Sequence, residues 1–318
     1  MLSVSSLQEL ATHGVRRVAI ACGVFDGLHR GHHKILDTLN EVAVATNATP
    51  VVLTFDPHPQ NILTPDRPAR LLLSTAHKQL LLAQRNVDAT VLLPFTRELA
   101  ETAAEIFIES VLCNSDVELT AICVGTKWRF GQGGRGSTDL LDKLCGVRNI
   151  RVIAVPEVQD SGTISSTRIR QAVTKGDLDA AAEMLGRSFS VFGVVRSGKG
   201  IATKLNYPTA NVDAGNDVFP PDGIYAAIAR IYSDDHTFVE HPGILYQGAS
   251  PTFGDTSLPR PKVEMHIFDF AENIYNQRLE IVYRQHIRAD RKFDNVDALC
   301  NQIADDIDTA RRVIVSNI

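Results

Sequence analysis

Two histidines three positions apart, His29 and His32, close the stretch Gly23-Val-Phe25-Asp26-Gly27-Leu-His29-Arg-Gly31-His32. The stretch follows an apolar run, and Asp26 with the glycines suits a tight turn at the carboxyl end of a sheet strand. Doubly wound folds bind ligands at that edge. A helix starting there aims its free amides at the same crevice and favours phosphate. His29 and His32 can then donate hydrogen bonds to phosphoryl oxygens as charge builds in a transition state. A pair of loop histidines without this context is more often structural; strand, turn and helix together favour the phosphate reading. A second segment, Ser165-Ser166-Thr167-Arg168, puts three hydroxyls and a guanidinium at a helix start. Hydroxyls there commonly cap, whereas Arg168 adds a planar donor suited to phosphate.

A different chemistry is spaced along the second half. Tyr207-Pro208-Thr209-Ala210-Asn211 follows a loop containing Gly and Lys, residues 193–204. Thr209 and Asn211 present neutral oxygens at i and i+2, hard donors of the kind that suit Mg²⁺. Alone, such a segment is usually a turn. Glu264 alternates with Val263 and Met265, so it faces away from them, to solvent or to a cleft. A carboxylate within reach of a hydroxyl can act as its base.

The elements that must position these groups fall into two patterns. In the first half, strand-like runs (Val18–Phe25, Pro50–Phe55, Ala89–Leu93, Leu119–Val124, Val152–Val155) alternate with helical spacing (His32–Ala45, Thr75–Arg85, Leu99–Leu112). Two further helices, Ser166–Val173 and Leu178–Leu185, close it. That alternation predicts an α/β doubly wound parallel sheet. Beyond Gly186 the runs Ser190–Val195, Ile224–Tyr232, Lys262–Phe268 and Arg278–Tyr283 read as a mainly antiparallel β-barrel or sandwich. A C-terminal helix follows over Leu299–Val313. The change of period sets domains at 1–186 and 187–318.

Composition narrows the classes. The 318 residues are 44% hydrophobic and 22% charged, which fits two globular domains and excludes wholesale disorder. A net charge of -5 argues against a non-specific nucleic-acid binder. No apolar run reaches the roughly 20 residues a bilayer requires, and no signal peptide is evident. Five scattered cysteines without a C-x-x-C pair fit a reducing cytoplasm. Two glycine patterns are decoys. Gly193-x4-Gly198-Lys199 lacks the hydroxyl after lysine, since Gly200 stands there. Gly131-x-Gly133-x-x-Gly136 lacks the strand-to-helix setting of a dinucleotide fingerprint and reads as a mobile loop near the nucleotide.

The His-x-Gly-His and Ser-Ser-Thr-Arg segments resemble the nucleotidylyltransferase superfamily. Thr54-Phe-Asp-Pro57-His58-Pro59 narrows the likeness to the bacterial bifunctional riboflavin kinase/FMN adenylyltransferase, or FAD synthetase, family. Pro208-Thr209-Ala210-Asn211, Pro221-Asp-Gly223-Ile-Tyr225, Gly248-x-x-Pro251-Thr252-Phe253, Val263-Glu264, Ile287-Arg288 and Lys292-Phe293 extend it, in the family's order, over residues 15 to 310.

The resemblance implies ATP-dependent phosphorylation of riboflavin to FMN and adenylylation of FMN to FAD. It implies that His29 and His32 act on ATP phosphates beside Gly23, Phe25, Asp26 and Gly31, with Ser165, Ser166, Thr167 and Arg168 as further phosphate contacts. Pro57, His58, Lys127, Trp128 and Arg288 become flavin contacts, an ion pair being the alternative for Arg288. Thr209 and Asn211 hold Mg²⁺-ATP, and Glu264 takes the proton of the riboflavin 5′-hydroxyl. The expected partners are small molecules, with no nucleic acid or membrane, in the cytoplasm; the oligomeric state is not indicated. The chain departs from the family pattern at Lys127-Trp128, in place of Asp-Phe, at Ala202 and Asn206, in place of glycines, and at Tyr246, in place of Asn. The alternatives are therefore a paralogue with one activity, or a regulatory protein that binds flavin or nucleotide.

Overall fold

Val18–Cys22 is apolar on both faces, as a strand covered on both sides by helices must be. In the computed structural model it is the core of a central strand. The structure describes residues 1–160, 162–198, 202, 205–248 and 261–315. Pro251, Thr252 and Phe253 of the family match, and Lys199 and Gly200 of the rejected phosphate loop, lie outside the described residues.

The strands β1 (Leu2–Val4), β2 (Arg17–Cys22), β3 (Thr49–Asp56), β4 (Ala89–Pro94), β5 (Glu118–Gly125) and β6 (Arg151–Val155) form one sheet in the order β1-β4-β3-β2-β5-β6. Every pairing is parallel. The chain leaves β2 toward β3 on one side and β5 pairs on the other, so β2 marks the switch point of the winding, where a crevice opens beyond the strand ends. The first helices are α1 (Leu7–Thr12), α2 (Arg30–Ala45), α3 (Pro59–Leu63) and α4 (Thr75–Ala83). Helix α2 buries Ile35, Leu36, Leu39, Val42 and Ala43, a stripe at helical spacing, against β2 and β5.

The expected helix Leu99–Leu112 is broken into α5 (Arg97–Glu101), α6 (Ala104–Phe107) and a π-turn over Ile108–Leu112. Thr102 is extended, and its carbonyl accepts from the Gln132 amide at 2.8 Å. Gly131, at φ 68, approaches so closely that a Cβ there would lie 2.6 Å from the Ala104 Cα. The glycine loop thus occupies the space a continuous helix would need. It is a turn closed by a bridge between Phe130 and Gly136. Helix α7 (Thr138–Gly146), capped by Ser137, completes this part before β6.

A short hairpin, β7 (Gln159–Asp160) with β8 (Gly162–Thr163), precedes α8 (Ser166–Lys175) and α9 (Leu178–Leu185). Gly186, at φ 71, ends α9 in the left-handed conformation that glycine takes without penalty. The strands β9 (Ser190–Arg196), β10 (Ala210–Ala214), β11 (Gly223–Tyr232), β12 (Phe238–Gly248), β13 (Lys262–Ile267) and β14 (Arg278–Ala289) close an antiparallel barrel in the order β10-β13-β12-β11-β14-β9. Helix α10 (Val296–Val315) lays Ala310 and Ile314 on Ile224, Ile228 and Ile244.

The chain divides into two compact units. One holds Met1–Arg70 with Lys78–Ser165; the other holds Leu71–His77 with the chain from Ser166 on. Helices α8 and α9 therefore pack with the barrel, although they precede the sequence boundary at 186. The excursion Leu71–His77 belongs to the barrel's unit because His77 seals a buried ionic cluster. Glu280, 1% exposed, accepts from Ser190 Oγ (2.6 Å), Tyr232 OH (2.8 Å), His77 Nε2 (3.3 Å) and Arg230 Nη1 (3.4 Å). Burial pushes the Glu280 carboxyl up, but the hydrogen bonds from His77 and Ser190 and the Arg230 charge outweigh it and hold it well below the usual carboxylate range. Burial keeps His77 below its ordinary 6.5, so it donates as a neutral ring. An unfolded His77 takes up a proton near 6.5 that the folded one refuses, so this unit loses stability as pH falls below that value. Glu280→Ala removes the buried acceptor that four donors share. It is expected to cost about 3–5 kcal/mol, the usual penalty for breaking a buried ionic pair, read as a lowered midpoint in urea unfolding.

Candidate active sites

The carboxyl end of β2 runs into Gly23 and then into a strained turn. Phe25 (φ 54) and Leu28 (φ 42) both take positive φ, and both are fully buried. Non-glycine residues pay for that conformation, and such strain is held where surrounding structure enforces it. Here it delivers His29 to the N-cap of α2, where its Nδ1 accepts the His32 amide at 3.3 Å. An accepting Nδ1 places the His29 proton on Nε2, so the far edge of the ring is a donor. The His32 ring stacks on His29 at 3.7 Å and meets Phe25 edge-on at 5.2 Å. Burial holds His32 well below 6.5, with the charges of His29, His33 and Lys78 adding to it. Among the described residues the buried His32 Nδ1 has no hydrogen-bond partner. A Cβ at Gly31 would stand 3.1 Å from the His29 ring, so any side chain there would crowd the ring. Gly23, Phe25, Asp26, His29, Gly31 and His32 are thus brought together at one helix N-terminus at the switch point.

The remaining expected groups are placed less uniformly. Pro57 and His58 follow β3, and His58 Nδ1 caps α3 by accepting from the Gln60 amide at 3.1 Å. Lys127 and Trp128 follow β5. Lys127 pairs with Glu157 at 2.7 Å, and Trp128 stacks on Phe130 at 4.6 Å. Ser165 ends its stretch of the first unit, while Ser166, Thr167 and Arg168 open α8 in the second. Lys78 escaped the sequence reading. It is buried within α4, and its Nζ donates to Val24 O at 3.0 Å and to Thr54 Oγ1 at 3.3 Å. A lysine in an apolar helix stripe was the one signal available.

In the barrel, strand register assembles what the sequence held far apart. Asn211 on β10 lies opposite Glu264 on β13, which lies opposite Tyr246 on β12. Directly opposed residues share a face, so the three side by side form one row on the outer surface, with Met265 turned inward and fully buried. Glu264 is half-buried, and that burial raises its carboxyl above the ordinary 4.5, with Lys262 opposing. Thr209 sits just before β10. His266, two residues along the face from Glu264, donates from Nδ1 to Pro208 O at 2.8 Å and so fixes the turn that carries Thr209. Tyr246 donates to Asp290 Oδ2 at 2.9 Å. Asn206 takes φ 65, the conformation that asparagine tolerates better than most residues. Arg288 makes an ion pair. Its Nε and Nη2 grip the buried Asp306 at 2.7–3.0 Å, over the ring of Phe293. Among the described residues no three of His, Cys, Asp and Glu group as metal ligands. A cation at this face would rest on the neutral oxygens of Thr209 and Asn211 and on nucleotide phosphates, a donor set that fits Mg²⁺.

A parallel α/β unit with a histidine pair at its switch point, in one chain with a barrel that pairs a carboxylate with hard oxygens, defines a two-module nucleotide-using transferase. Comparison with known proteins narrows the class. The family model described as FAD synthetase matches residues 12–168, and that described as riboflavin kinase matches residues 185–314. The bifunctional riboflavin kinase/FMN adenylyltransferase of Haemophilus influenzae is 32% identical over 94% of this chain and 96% of its own. That of Pseudomonas fluorescens is 33% identical over 91% of this chain and 90% of its own. A crystal structure described as a macrolide-efflux protein from Streptococcus pneumoniae superposes with a TM-score of 0.76 at 26% identity, covering 98% of each chain. Among the described residues no helix is long and apolar enough to cross a membrane. The chain belongs to the bifunctional riboflavin kinase/FMN adenylyltransferase family.

Proposed function

We propose that this chain makes FAD in two ATP-dependent steps, riboflavin to FMN at the barrel and FMN to FAD at the parallel sheet. The observation that carries the reading is the pairing of two sites in one chain: His29 and His32 at the N-terminus of α2, and Glu264 opposite Asn211 on the barrel face. Along the chain the adenylylation module spans 1–186 and the kinase module 187–318.

In the first step Glu264 takes the proton of the riboflavin 5′-hydroxyl, whose oxygen attacks the γ-phosphorus of ATP; ADP leaves. Thr209 and Asn211 would hold Mg²⁺, which neutralises phosphate charge when bound. In the second step an oxygen of the FMN phosphate attacks the α-phosphorus of ATP, and pyrophosphate leaves. No covalent intermediate with the protein is needed, so positioning and charge stabilisation carry the reaction. The His29 Nε2–H and the neutral His32 ring donate to phosphate oxygens at the N-terminus of α2. Ser165, Ser166, Thr167 and Arg168 as phosphate contacts, and Pro57, His58, Lys127, Trp128 and Arg288 as flavin contacts, rest on the resemblance. A cytoplasmic location fits the five free thiols.

The test is chromatography of flavins after incubation with ATP and Mg²⁺. Riboflavin should yield FMN and then FAD, and supplied FMN should yield FAD. FMN as the only product would limit the chain to the kinase step. Neither product from folded protein would favour the regulatory alternative.

A further inference from the structure

Lys78 is 7% exposed, yet it carries an ammonium group. Its Nζ donates to Val24 O at 3.0 Å and to Thr54 Oγ1 at 3.3 Å, and Thr54 Oγ1 donates to the same Val24 oxygen at 3.0 Å. Val24 stands between Gly23 and the strained Phe25, at the start of the turn that delivers His29 and His32. Side chains from α4 and β3 therefore grip the loop at its first peptide. Burial lowers the ammonium's hold on its proton, and the charges of Asp26 and Asp56 oppose that. The loop and the ammonium are electrostatically linked, since the Lys78 charge acts on His32 as well.

Packing does not require this lysine. The Val24 carbonyl keeps a donor in Thr54, and a methionine fills a similar volume with no charge to desolvate. What methionine lacks is a second grip on the carbonyl and a positive charge behind a loop that receives polyphosphate. A group kept at a cost to stability next to a site is a mark of function.

We propose that Lys78 is a positioning residue for adenylyl transfer, holding the Gly23–His29 loop in its strained shape and setting a fixed positive charge behind it. This rests on the adenylyltransferase reading above. Misplacing a reacting group by about 1 Å costs on the order of 10²-fold in rate. Lys78→Met in the full chain is therefore expected to lower kcat/KM for ATP in FAD formation by on the order of 10²-fold. Riboflavin phosphorylation by the same preparation should be unchanged, and the unfolding midpoint no lower than the parent's. Lys78→Ala should recover part of its lost rate when propylamine is added. Thr54→Val should show a smaller loss, because the ammonium alone still holds Val24. Should Lys78→Met fail to fold, the amine rescue and Thr54→Val carry the test. A folded Lys78→Met with parental FAD formation overturns the proposal. So does a loss shared equally by both reactions and matched by lost stability, which marks a merely structural lysine. A parent that forms no FAD overturns the functional reading itself, and the parent's own assay distinguishes that case.

Discussion

Glu264→Gln should abolish most riboflavin phosphorylation while FAD formation from supplied FMN continues. A positioned general base is worth typically 10²–10⁴-fold, and glutamine keeps the volume and a hydrogen-bonding oxygen while removing the proton acceptor. The expected fall in kcat is therefore within that range, with little change in KM for ATP. The pH profile gives a second reading of the same group. Burial raises the Glu264 carboxyl above 4.5, so it protonates at a higher pH than an ordinary glutamate. A protonated base cannot accept, so kcat/KM for riboflavin should decline on the acid side, with its midpoint above 4.5, and the residual activity of Glu264→Gln should lack that limb. Parental kinase activity in Glu264→Gln would remove the carboxylate from the mechanism.

His32→Ala should do the converse. Removing one preorganised donor to a developing oxyanion costs on the order of 10²–10³-fold in kcat. The cost here should lie at the upper end, because the His32 ring also stacks on His29 and keeps it in place. Since burial holds His32 well below 6.5, it stays neutral through the physiological range. FAD formation should accordingly show no His32-dependent break between pH 6 and 8, roughly the window in which an unperturbed imidazole titrates. A loss of kinase activity alongside, in protein with a parental unfolding midpoint, would contradict the separation of the two sites.

The histidine turn was legible in the sequence because the residues that mark it are local: the glycines, the two histidines and the helix start lie within ten residues of β2. Glu264 was legible as outward-facing because a strand's period of two is local as well. Its neighbours were not, since the row Asn211–Glu264–Tyr246 exists only through strand register. Lys78 was hidden for the same reason, its partners lying 54 and 24 positions away. The strand β12 escaped because Pro242 and Gly243 interrupt its pattern, although both are accommodated within its pairing to β11. The break in Leu99–Leu112 came from a loop some 30 residues downstream pressing its Gly131 against Ala104. Leu71–His77 was read with the first domain by its position in the chain, whereas Glu280 claims it for the second unit.

The central claim is that one chain performs both reactions at separate sites, and complementation tests it most directly. Riboflavin, ATP and Mg²⁺ are supplied to His32→Ala, to Glu264→Gln, and to an equal mixture of the two, and the flavins are followed over time. His32→Ala should stop at FMN, Glu264→Gln should leave riboflavin unchanged, and the mixture should restore FAD as released FMN reaches the intact adenylylation site. FAD from either variant alone at the parental rate, or a mixture of folded proteins that makes none, would contradict the account.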